Sequence, residues 1–107
     1  MARKYISIFF VISMLSACSK KNKGTLIVTD VSRDTTFIIN TNTTLITSLK
    51  LYITGETNDS IMVNSIGIRG GEIKEALNLD WYSSTVNIFY KAYKAKAGHI
   101  EIDYYVP

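Results

Sequence analysis

From residue 44 onward, apolar and polar positions alternate along most of the chain. Residues 44–54, TLITSLKLYIT, put Leu45, Thr47, Leu49, Leu51 and Ile53 on one side and Ile46, Ser48, Lys50, Tyr52 and Thr54 on the other. A period of two with one apolar side predicts a half-buried strand. GETND, residues 55–59, is turn chemistry, and SIMV resumes the alternation through Ile61 and Val63. A hairpin with Thr54 opposite Ser60 would set Ile53 against Ile61 and Leu51 against Val63.

The C-terminal pattern is cleaner. TVNIFYKAY (85–93) and HIEIDYYV (99–106) flank KAKAG. Pairing Tyr93 with His99 sets Ala92 on Ile100, Tyr90 on Ile102, Ile88 on Tyr104 and Val86 on Val106. The opposite face then pairs Lys91 with Glu101, Phe89 with Asp103 and Asn87 with Tyr105. A slip of one residue would scramble both faces, so a terminal hairpin in this register is predicted. Further strands are expected near residues 25–31, 36–41 and 64–69, with turns at NTNTT (40–44) and at Gly70 and Gly71. EIKEALNL (72–79) reads equally as one helical turn or an irregular strand. Six or seven short strands predict an all-β fold, a small antiparallel β-sandwich of immunoglobulin-like or Greek-key arrangement. Trp81 is the expected plug of its core.

The first residues follow another pattern. Arg3 and Lys4 precede YISIFFVISML, residues 5–15, which is apolar apart from two serines and the Tyr5 hydroxyl. As a helix this run spans about 16 Å, roughly half a bilayer's hydrocarbon core. It is too short to cross and suits the apolar region of a secretory signal. Ser16, Ala17 and the chain's single cysteine, Cys18, come next. Leu15, Ser16, Ala17 and Cys18 resemble the lipobox of bacterial lipoprotein signal peptides, position for position. The resemblance implies cleavage between Ala17 and Cys18, a diacylglycerol on the Cys18 thiol and a further acyl chain on the freed amine. It also implies that the chain is tied to a membrane through this lipid; apart from it, no cofactor is expected. Ser19 stands where an Asp would retain a lipoprotein in the inner membrane, so in a diderm host the outer membrane, periplasmic side, is expected. The likeness covers about the first fifth of the chain; the body resembles no family. Three regions follow: signal peptide 1–17, lipidated Cys18 with a basic tether to residue 23, and a single sandwich domain 24–107.

Charge changes its meaning once these regions are separated. Twelve Lys and Arg oppose nine Asp and Glu, a net +3. Without Arg3 and Lys4 the balance is 10 against 9; without Lys20, Lys21 and Lys23 it is 7 against 9, or −2 for the body. No basic face remains to follow a phosphate backbone, so no nucleic-acid partner is expected. Chemistry is equally sparse. His99 is the only histidine, a metal site wants clustered ligands, and the acids fall mainly at turns and strand ends. No Gly-x-Ser-x-Gly elbow or phosphate-loop spacing occurs. Neither catalytic residues nor a metal site are expected, and the protein reads as a non-enzyme.

The aromatic residues supply the remaining signal. The terminal-hairpin register puts Phe89, Lys91, Tyr93 and Tyr105 on one outward face, with Tyr52 on the polar side of its own strand. Exposed aromatics beside a cation are what binding surfaces enrich. The expected function is a membrane-anchored lipoprotein whose sandwich binds a protein or envelope component, as inhibitors, immunity proteins and exclusion proteins do. The alternative is a structural or assembly accessory of an envelope complex, and a small hydrolase is a third reading. The anchor is tested by Cys18→Ala in the full chain. Metabolically supplied palmitate should label the wild type and not the variant, and the variant should accumulate as uncut precursor. Label or normal processing in the variant removes the anchor.

Overall fold

Ile100, Ile102, Tyr104 and Val106 are buried, while Glu101 and Tyr105 between them are exposed and Asp103 is half-buried. This alternation recurs along most of the strands, is interrupted in β6 at Glu75, and builds two sheets whose apolar sides face each other. The computed structural model describes residues 22–41 and 44–107. Cleavage at Ala17, lipidation of Cys18 and most of the tether lie outside them. Eight strands form: β1 (Lys23–Val28), β2 (Thr35–Asn40), β3 (Ser48–Thr57), β4 (Ile61–Val63), β5 (Ile66–Ile68), β6 (Gly71–Asp80), β7 (Thr85–Lys91) and β8 (Gly98–Tyr105). Sheet 1 has the order β1-β8-β3-β6 and sheet 2 the order β2-β7-β4-β5.

The fold is the expected all-β sandwich, and its connectivity resolves the topology. β1 pairs with β8, β2 with β7, β3 with β6 and β4 with β5, all antiparallel. The chain therefore runs as one long two-stranded ribbon folded over on itself, and the β3–β8 and β4–β7 pairs close the roll. This double Greek key is a jelly roll. An immunoglobulin-like strand order does not occur.

Both predicted hairpins are absent. β3 lies in sheet 1 and β4 in sheet 2; β7 lies in sheet 2 and β8 in sheet 1. The residues assigned to the apolar sides of β7 and β8 are nevertheless buried: Val86, Ile88, Tyr90, Ala92, Ile100, Ile102, Tyr104 and Val106. They meet across the core instead of side by side in a ladder. Alternation reports which face a residue occupies and is silent about the neighbouring strand. The one local hairpin joins β4 to β5 through Asn64 (φ 48°) and Ser65 (φ 68°). Two left-handed residues in a two-residue loop suit the right-handed strand twist. The Asn64 side chain locks this turn onto β7, accepting from the Phe89 amide at 2.7 Å.

Three further differences have local causes. Residues 72–79 belong to the ten-residue β6, despite their helix formers, because β6 pairs with β3 along its whole length. Tertiary pairing outweighs propensity there. Leu45 is exposed and Ile46 buried, the reverse of the expected sides, because β3 starts only at Ser48. Lys23 is already part of β1, and the Asn22 carbonyl accepts from the Val106 amide at 2.8 Å, so the tether ends earlier than expected. Trp81 is half-buried against the core, with its indole N–H donating to the Thr85 carbonyl at 3.0 Å.

β3 and β8 approach closely around two glycines. Gly55 (φ 140°) and Gly98 (φ 137°) occupy backbone that side chains rarely adopt. A Cβ on Gly55 would run into the His99 carbonyl, and one on Gly98 into the Glu56 carbonyl.

Tyr90 ties the core to the distal loops. Only 1% exposed, it donates its hydroxyl to the Val31 carbonyl at 2.7 Å. Burial, with smaller contributions from the carboxylates of Asp34 and Asp30, pushes its pKa up from 10.0 to about 12. The folded state thus holds this proton more tightly than the unfolded chain does. The stabilisation is fully present below pH 10 and is lost as pH rises toward 12, at up to about 1.4 kcal/mol per pH unit. In a chain beginning at Ser19, Tyr90→Phe should cost about 1 kcal/mol at neutral pH through the lost hydrogen bond. It should also flatten the alkaline decline of unfolding free energy, measured in urea at several pH values. A decline as steep in the variant as in the wild type would assign it to other groups.

Candidate functional site

The four residues expected to share one binding face are each exposed but are not brought together. Phe89 and Lys91 point outward from β7 in sheet 2, and Tyr105 points outward from β8 in sheet 1. Tyr93 has left the strand: it sits in the β7–β8 loop at φ 53°, with the Lys94 ammonium 5.3 Å from its ring centroid. It lines a depression of about 340 Å³ beside Met62 and Arg69. The expected face required β7 and β8 to be adjacent, and the connection between them crosses the sandwich.

A different aromatic surface forms on the outer side of sheet 1. β3 lies between β8 and β6, so Tyr52 is flanked by Asp103 on one side and Ala76 on the other. One step along the same face, Lys50 is flanked by Tyr105 and Asn78. Tyr52 and Tyr105 are each 45% exposed. Ala76 is the short side chain in this arrangement, and next to it the surface dips into a groove of about 350 Å³. The Thr25 hydroxyl donates to Asp103 Oδ1 at 2.6 Å, which fixes the carboxylate from the β1 side.

The chemistry of the groove is that of recognition. Its lining includes three tyrosines, the half-exposed Tyr52 and Tyr105 and the buried Tyr104, with one ammonium, one amide and one carboxylate at hand, and holds no histidine, cysteine or serine. Such a surface can stack against planar or aliphatic groups and exchange hydrogen bonds at its edges. His99 is exposed at the start of β8, across from Glu56. Among the described residues, no three His, Cys, Asp or Glu side chains come together as a metal site would require.

Tyr52 was legible as outward-facing from its alternation, as was Tyr105. What sequence reasoning missed was that β3 and β8 are neighbours, which alone makes the two tyrosines one site. Ala76 was missed because its segment was not assigned to a strand. A full period-two reading of Ile73, Leu77 and Leu79 would have placed it.

Against protein-family models, curated proteins and solved structures, the chain finds no match.

Proposed function

We propose that this protein is a lipid-anchored envelope component that acts by binding, with the outer face of β3, β8 and β6 as its contact surface. The observation that carries the reading is the pair Tyr52 and Tyr105, half-exposed on adjacent strands around a groove floored by Ala76. Tyrosines are costly to leave in water and are enriched where proteins meet partners. A flat strand face with polar edges fits a protein or envelope polymer better than a small substrate, which wants deeper enclosure. The lipobox residues ending in Cys18 support attachment to a membrane, on the periplasmic side of the outer membrane in a diderm host. The lipid on Cys18 is then the only group the protein carries, and no catalytic role is assigned. Blocking a single partner, as an inhibitor, immunity or exclusion protein does, is the preferred form.

One observation favours the accessory role as a second reading. β2 is an edge strand of sheet 2, and its residues TTFIIN contain no charge and no proline. Ile38 in its middle is 67% exposed. Sheet edges usually carry charge to discourage pairing, and an uncharged one can receive a strand from another protein.

The readings separate by where contact occurs. With a benzoylphenylalanine in place of Ala76 in the full chain, irradiation of cells should give one discrete cross-linked adduct. The same probe at Thr36 on β2 should give none, and Ala76→Leu, which fills the groove, should weaken function without unfolding. Adducts from position 36 and none from position 76 would exchange the two readings.

A further inference from the structure

At one end of the sandwich the strand termini gather with the start of the body. β1 begins there with Lys23 beside Tyr105, β3 begins with Ser48 beside Asp80, and β7 begins with Thr85 beside Asn40. The loops of this end carry the two most exposed large apolar side chains among the described residues, Leu45 at 89% and Tyr82 at 76%. Each is held outward by an adjoining residue that the core retains. Ile46, next to Leu45, is 5% exposed, and Trp81, next to Tyr82, packs against the core. The loops are also pinned to each other and to the sheets. The Trp81 amide donates to the Thr47 carbonyl at 3.2 Å, and the Thr41 amide to the Ser84 carbonyl at 2.9 Å.

The length of chain outside the described body says what this end faces. Four residues, Ser19, Lys20, Lys21 and Asn22, separate Cys18 from Lys23. Five residue steps reach at most about 18 Å when fully extended. A lipid on Cys18 therefore holds the start of β1 within that distance of the bilayer surface, and the loops 44–47 and 81–84 lie at the same end of the sandwich. Charge agrees with this placement. Lys23 and Lys50 lie at this end with Asp80 and Asp103, and in the sequence Lys20 and Lys21 precede Lys23, so lysines outnumber acids where the chain enters the body. Lysines close to a bilayer are attracted to anionic headgroups.

We propose that the loops 44–47 and 81–84 form a second membrane contact. Leu45 enters the acyl edge of the leaflet, and Tyr82 lies at headgroup level, where amphipathic rings settle. The contact seats the body on the membrane that Cys18 anchors, and it rests on the lipid-anchor reading above. The diacylglycerol on Cys18 would already hold the chain to the bilayer, and the loop contact fixes how the body sits on it.

The test uses the full chain, exported and processed in a bacterial host. The purified protein is reconstituted in phosphatidylethanolamine and phosphatidylglycerol vesicles whose acyl chains are brominated. Trp81 is the only tryptophan of the chain, and its fluorescence reports bromine within contact range of Tyr82. Wild-type emission should be strongly quenched relative to unbrominated vesicles. Leu45→Ser with Tyr82→Ser should lose most of that quenching while still floating with the vesicles. Each single change should lose part of it, and Phe89→Ser, on the outer face of sheet 2, should lose none. Both altered residues are exposed, so circular dichroism should show an unchanged fold, and the single variants carry the test should the double variant unfold. Quenching that is absent in the wild type, or equal in wild type and variants, overturns the second contact. Palmitate label on the wild type with no quenching overturns it alone and leaves the anchor; absence of label overturns both.

Discussion

The pairing of β3 with β8 is the constraint on which the rest of the molecule depends. It sets Ile53 beside Ile102 and Leu51 beside Tyr104 on the inner side. On the outer side the same register sets Tyr52 beside Asp103 and Lys50 beside Tyr105. Core and candidate site are thus two faces of a single ladder, and a one-residue slip would turn the tyrosines inward and the isoleucines into water. The close approach of Gly55 and Gly98 to the facing backbone guards that register. Because the paired segments are some fifty residues apart in sequence, the chain must close a long loop before this contact stabilises anything. That ordering is costly in folding speed and leaves strand edges open meanwhile.

This dependence explains what could be read from the sequence. The inward residues of β7 and β8 were assigned correctly one by one, because burial leaves its mark at every second position of a strand. Their partners were not, because adjacency in a jelly roll is decided by which segments meet after the ribbon folds, and no local pattern records it. The KAKAG loop looked like a hairpin and instead carries the chain from one sheet to the other. Only the β4–β5 turn is local, and it was overlooked because Asn64–Ser65 lacks the glycine that usually marks a two-residue turn. The outward aromatics were recognised singly and grouped wrongly for the same reason. Tyr105 belonged with Tyr52, not with Phe89.

Two of the edge strands, β6 and β2, differ in charge. By register Glu75 of β6 falls on the inner side, opposite Ile53 and between Ile73 and Leu77, while remaining exposed. An inward charge on an edge strand disfavours the addition of another strand. Glu72 and Lys74 add charge to the same edge. β2 has no such guard. In a domain this small, leaving one edge uncharged while charging another is an asymmetry that propensity does not require, since threonine and isoleucine are as content in a guarded strand.

The position of the groove limits what can occupy it. Tyr105 lies between Lys23 of β1 and Lys50 of β3 in the register of sheet 1, so the groove opens at the end where the tether enters. With the proposed anchor at Cys18, a partner in the groove would be held against the bilayer, within the reach of four tether residues and the length of a side chain. A large periplasmic body approaching from that direction would meet lipid before it met Tyr52. A segment that itself emerges from the membrane, or a chain running along its surface, would not. On the proposed anchor, the same short tether that would bring the end loops to the membrane would select, by sterics alone, for partners that belong to the envelope surface over those that diffuse freely through the space beyond it.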